Sequence, residues 1–207
     1  MPVIAWNLVL ARIFLVPINN FEAGGPVGLG LDAQEAVPDI VRRVDTLLGP
    51  AEGAFTGSHA DATQWPDGPL DDIWNDIMGR PCEVSSSRTN LAVEFMMTYG
   101  VLDRTVVAYN TAAADAAPFL AAQLATLYGV LPWSITTVLS DVDTVEGLGD
   151  HAACPTVGIS LGVVNGPLAT IIYNGTFDFG RQAVAGAVVD GLENYIEWRD
   201  AQFVDPD

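Results

Sequence analysis

The chain of 207 residues contains no lysine, and its 8 arginines face 26 aspartates and glutamates, leaving a net charge of −18. Without lysine there is no Schiff-base chemistry and no lysine base. The only adjacent basic pair is Arg42-Arg43, so nothing can neutralise a phosphate backbone. Nucleic acid and anionic membranes are therefore excluded as partners. Histidine is scarce, with only His59 and His151, and the two cysteines, Cys82 and Cys154, form no framework. They read as free buried thiols, with a single disulfide as the alternative. No basic segment precedes the apolar N-terminal run, and no small-residue cleavage site follows it, so no signal peptide is expected. Asn7, Arg12 and Pro17 interrupt that run, which is shorter than the roughly 20 residues a spanning helix needs. The expected location is the cytoplasm or a virion.

What is present is a core. Half of the residues are hydrophobic and only 16% are charged, a globular composition that suits one domain over residues 1–207. The N-terminal run MPVIAWNLVLARIFLVPI reads as a long buried strand. Asp32 can cap a helix whose apolar stripe is Ile40, Val41, Val44, Leu47 and Leu48, stopped by Gly49-Pro50. A second helix is expected from Pro69, with Ile73, Trp74, Ile77 and Met78 on its apolar face. Leu91–Tyr99 and Thr105–Tyr109 read as strands around a turn at Gly100, and Ala112–Gly129 as a helix that Pro118 kinks or delays. Trp133–Leu139 is expected as a strand, 140–155 as an acidic loop, and Arg181–Trp198 as a closing helix with Val184, Val188, Leu192 and Tyr195 on one side. The segment 99–115 is echoed by 165–178; each runs from a turn glycine through a strand to Tyr-Asn, Asp and a helix. The expected fold class is α+β: a mainly antiparallel sheet built from β-hairpin–helix units, with helices on one face.

Candidate catalytic patterns each lack a part. Gly158-Ile-Ser160-Leu-Gly162 has the spacing of a nucleophile elbow, but no helix can begin at Leu-Gly-Val-Val-Asn-Gly-Pro, and both histidines precede Ser160. A hydrolase using Ser160 is thus the third-ranked reading. Asp150-His151-x-x-Cys154 and His59-x-Asp61 supply too few ligands for zinc. His59-Ala-Asp61, with Pro81-Cys82 downstream, is faintly similar to a zinc deaminase, but Asp61 stands for the Glu and Ser85 for the second Cys. Asp141-x-Asp143 with Glu146 fails as a calcium loop, whose sixth position must be Gly. No metal and no cofactor are expected.

The C-terminal third, with Tyr173-Asn174-x-x-x-Asp178-Phe179 before a long helix, resembles the closing segment of the chloramphenicol-acetyltransferase and condensation-domain superfamily. That resemblance implies an acyl-transfer fold binding a thioester or lipid, with Asn174 and Asp178 at the ligand. Asn174 would stand where the base histidine belongs, and an amide cannot accept the proton. The acidity and the incomplete catalytic sets lead to the expectation of a non-enzymatic assembly protein. It would be a homo-oligomer or a partner of other structural proteins, one form being a virus or phage particle component. The degenerate acyltransferase-like domain is the alternative.

Overall fold

The computed structural model describes residues 11–17, 33–48, 58–59, 89–98, 105–130, 137–141, 155–163 and 178–202. Its elements are β1 (Ala11–Pro17), α1 (Ala33–Leu48), β2 (Ser58–His59), β3 (Thr89–Thr98), β4 (Thr105–Tyr109), a 3₁₀ turn (Thr111–Ala113), α2 (Ala117–Val130), β5 (Thr137–Asp141), β6 (Thr156–Val163) and α3 (Asp178–Ala201). The strands form one sheet in the order β2-β1-β3-β6-β4-β5. The α+β composition holds, and α1, α2 and α3 share one core with the sheet.

The antiparallel hairpin architecture does not hold. β1 is parallel to β2 and β3, β3 is parallel to β6, and β4 is parallel to β5; only β4 and β6 run antiparallel. The expected hairpin partners β3 and β4 are separated by β6. The physical reason lies in burial. A parallel strand covered on both faces carries a near-continuous apolar run, not an alternating one. Leu91–Met96 of β3 and Thr156–Leu161 of β6 are buried at every position. Such strands seek the sheet centre and each other, whatever turn lies next in the chain.

Local signals fared better. β4 has the bounds expected from its sequence. α2 begins at Ala117, after the 3₁₀ turn, so Pro118 sits in its first turn, where a missing N–H costs no helical hydrogen bond. On α1, Ile40, Val41 and Val44 are buried, whereas Leu47 is exposed. β5 continues to Asp141, into the expected loop. The cap at Asp32, the helix after Pro69 and the strand of the echoed segment from 165 onward lie outside the described residues.

Two polar devices tie the layers together. Asn110 Oδ1 accepts from the backbone N–H groups of Ala113 and Thr156, both at 3.1 Å, capping the 3₁₀ turn and clamping the end of β4 to the start of β6. Asp39 on α1 accepts from Arg43 Nε of its own helix and from Arg181 Nη1 on α3, each at 3.0 Å. Burial alone would raise the Asp39 carboxyl, but the hydrogen bonds from Arg181 and Arg43 outweigh it and hold the group below its ordinary value.

Candidate functional site

The two faces of the sheet are chemically different. Leu91, Val93 and Phe95 of β3, Val157, Ile159 and Leu161 of β6, and Val107 of β4 join the helices in the core. The alternate positions, Ala92, Glu94, Met96, Gly158, Ser160, Val106 and Ala108, belong to the opposite face by the two-residue period of a strand. Register sets them in rows across the three central strands. Glu94 lies beside Gly158, which lies beside Ala108; Met96 lies beside Ser160, which lies beside Val106. The row neighbours of the carboxylate are thus a glycine and an alanine.

Glu94 is 0% exposed and Ser160 is 1% exposed. A charged carboxylate that deep costs several kcal/mol or more unless it is compensated, so its retention in the middle of an apolar strand points to a task. Just beyond Ser160 the ladder slips: Met96 pairs with Ser160 but Thr98 pairs with Val163, which places one extra residue on β6. Gly162 has φ 120°, a backbone region that side chains rarely adopt. A bulge at this place bends β6 and re-aims the residues beside it, a device common next to binding sites. The two glycines of Gly158-Ile-Ser160-Leu-Gly162 thus serve the sheet. Gly158 is the register partner of Glu94, and Gly162 lies in the bulge.

Ser160 is no elbow nucleophile. It sits inside β6, which continues through Val163 with no helix following at once. The residues expected at a ligand are not brought to this face by any described contact. Asn174 lies outside the described residues, and Asp178 is the first residue of α3. In the echoed copy of the same pattern, the asparagine of Tyr109-Asn110 is a structural clamp. Glu94 itself was missed from sequence. The available signal was a lone acid inside the apolar run Leu-Ala-Val-Glu-Phe-Met-Met.

Metal-assisted chemistry needs about three protein ligands on one centre. Among the described residues no group of three His, Cys, Asp or Glu could hold a metal ion. Glu94, Ser160 and Met96 offer one carboxylate, one hydroxyl and one thioether, which do not match the nitrogen, thiolate and carboxylate sets that hold zinc. His151, Cys82 and Cys154 lie outside the described residues.

This face and its strand order define the class of fold. No protein-family model and no curated protein matches the chain. Among solved structures the chain is similar to the N-acetylmuramoyl-L-alanine amidase AmiC2 of Nostoc punctiforme, at 12% identity over 91% of this chain and 98% of that one, with a TM-score of 0.66. It is also similar to the N-acetylmuramyl-L-alanine amidase Ami1 of Mycobacterium smegmatis, at 16% identity over 92% and 99%, TM-score 0.63. A third match is the CwlD amidase of Clostridioides difficile, solved in complex with the GerS lipoprotein, at 14% identity over 90% and 98%, TM-score 0.62. At these identities the likeness is one of fold. It replaces the acyltransferase and condensation-domain resemblance, and it overturns the expectation of a virion or assembly protein, since the matching structures are amidases. The resemblance failed because a strand, Tyr-Asn, Asp and a helix in sequence occur in many sheets; the described Tyr-Asn clamps two strands. Among the described residues no helix is long and apolar enough to cross a membrane.

Proposed function

We propose that this chain is an amide hydrolase acting on a sugar-linked peptide of the N-acetylmuramoyl-L-alanine type, held over the face of the sheet that carries Glu94. The observation that supports the reading most is the pairing of an amidase fold, matched over nearly the full length of both chains, with a carboxylate buried at the centre of its sheet. In the proposed step, water adds to the amide carbonyl carbon. Glu94 takes the proton from that water and returns it to the leaving nitrogen as the C–N bond breaks. The Ser160 hydroxyl, one row along on the paired strand, is placed to orient the water or the carbonyl oxygen. Exclusion of solvent from this face strengthens each of these polar contacts.

The test is direct. Purified protein is incubated with an N-acetylmuramoyl-L-alanyl peptide, and the new alanine amino group is quantified. Release of free amine from wild type, reduced at least about 100-fold in Glu94→Gln, is the expected outcome. The variant is nearly isosteric, so its circular dichroism should match wild type. Release that survives in Glu94→Gln removes Glu94 from the chemistry. If wild type neither binds nor cleaves the peptide, the whole reading is retired.

A further inference from the structure

On the opposite side of the molecule from Glu94, α2 and α3 enclose an open groove of about 650 Å³. Phe119, Ala122 and Gln123 line it from α2, and Asn194, Glu197 and Trp198 from α3. Its apolar part is one ring cluster: Phe119 and Trp198 have centroids 5.8 Å apart, Phe119 and Tyr195 5.9 Å, and Tyr195 and Trp198 stack at 6.2 Å with 25° between planes. The cluster is anchored, because Tyr195 is buried while Trp198 is only partly covered. Its volume is in the range of sites that take a side chain or a short peptide.

The polar wall has one sign. α2 carries no charged residue at all. On α3, Glu197 lines the groove, and Asp190 and Glu193 precede it on the same helix at helical spacing. Burial, and after it the charges of Asp190 and Glu197, raise the Glu193 carboxyl. Arg199 and Asp115, one of each sign, act on Tyr195. A ring surface beside the Glu197 carboxylate is complementary to a group that is flat or alkyl along its stem and cationic at its head. Arginine and lysine side chains have that form, and a neutral saccharide would leave the carboxylate unmatched.

We propose that the α2–α3 groove docks a basic peptide segment of a protein partner. An arginine or lysine stem lies against Trp198 and Phe119, its head pairs with Glu197, and Gln123 and Asn194 bond the partner's backbone. The inference stands independently of the hydrolase reading, since it uses none of the residues of the other face.

The experiment titrates the full chain, by calorimetry, with a short peptide of alternating arginine and leucine, with its glutamate-for-arginine counterpart, and with chitotetraose. The arginine peptide is expected to bind and the other two are not. Affinity should fall as added salt shortens the Debye length from about 10 Å at 0.1 M to about 3 Å at 1 M. Glu197→Gln and Trp198→Ala should each weaken binding about tenfold. Asp45→Asn on α1, which removes the same charge far from the groove, should change it less than about twofold, the size expected of long-range screening. Glu197 is exposed, so its variant keeps the fold. Absence of binding overturns the proposal. So does equal loss in Asp45→Asn and Glu197→Gln, or binding of the saccharide in place of the peptide.

Discussion

The two faces of the central sheet are made by the same three strands and do opposite work. One presents leucine, valine, isoleucine and phenylalanine to three helices; the other presents a carboxylate, a hydroxyl, a thioether, a glycine, two alanines and a valine. Both are shielded from solvent, so burial alone does not separate them. What separates them is the chemistry that burial makes expensive. The helix face gains from every apolar atom removed from water, whereas Glu94 and Ser160 on the other face are buried at tolerable cost only through the partners they keep.

The sharpest way to test that division is to cut into each face. Phe95 is among the largest fully buried side chains and points into the helix core. Phe95→Ala should cost about 3–5 kcal/mol, read as a shift in the urea midpoint at constant slope. Its neighbour Glu94 points the other way. Glu94→Gln should move the midpoint by no more than about 1.5 kcal/mol while removing the proposed amide cleavage. Equal destabilisation by both would mean that the Glu94 face is a second structural core.

The bulge gives a smaller effect at the border between the two roles. Gly162 holds φ 120° where β6 slips against β3. Gly162→Ala should cost about 1–3 kcal/mol in strain and should shift the face beside Ser160 as well. Loss of stability with unchanged ligand handling would show that the bulge only relieves sheet twist.

These two faces were unequally legible in the sequence. The helix side was read well, because period and capping are local: β4, the start of α2 at Pro118 and the stripe of α3 follow from neighbours within a turn or two. Sheet order was not, because it is decided by contacts far apart in the chain. Gly100 looked like a hairpin turn, and nothing within ten residues of it announces that β6, from 156 onward, will enter between β3 and β4. The site suffered from the same blindness. Ser160 stood out through a motif it does not serve, while Glu94 gains its meaning only when Gly158 and Ala108 are placed beside it.

Outside the sheet, the Asp39 cluster tests how firmly the helix layer is tied. Asp39 accepts from Arg43 and Arg181 and is only partly shielded, so Asp39→Asn should cost about 1–2 kcal/mol at neutral pH. The sign with pH follows from its lowered value. A carboxyl held below its ordinary value stabilises the fold above the unfolded value of about 4 and loses that contribution as pH falls through the folded one. The gap between wild type and Asp39→Asn should therefore be constant from pH 7 to about 5 and close below about 4. A gap that persists at low pH would assign the effect to packing.

The smallest effect concerns two glycines five residues apart on α3, in the layer that covers the apolar face. A Cβ at Gly191 would meet Leu120 Cα at 3.0 Å and Phe119 O at 3.2 Å, both backbone atoms of α2 that cannot yield separately. A Cβ at Gly186 would meet nothing within 4 Å. Both positions are helical, so alanine gains about 0.8–1 kcal/mol of helix propensity at either. At Gly186 that gain is uncompensated, and Gly186→Ala should raise stability by up to about 1 kcal/mol. At Gly191 the helices must part, and overpacking of about 1–3 kcal/mol should outweigh it. Opposite signs in the two midpoints would show that α2 and α3 are seated by close approach at Gly191, and so that the groove they form with Trp198 has a fixed width. Equal stabilisation by both would mean that the helices slide freely over the core.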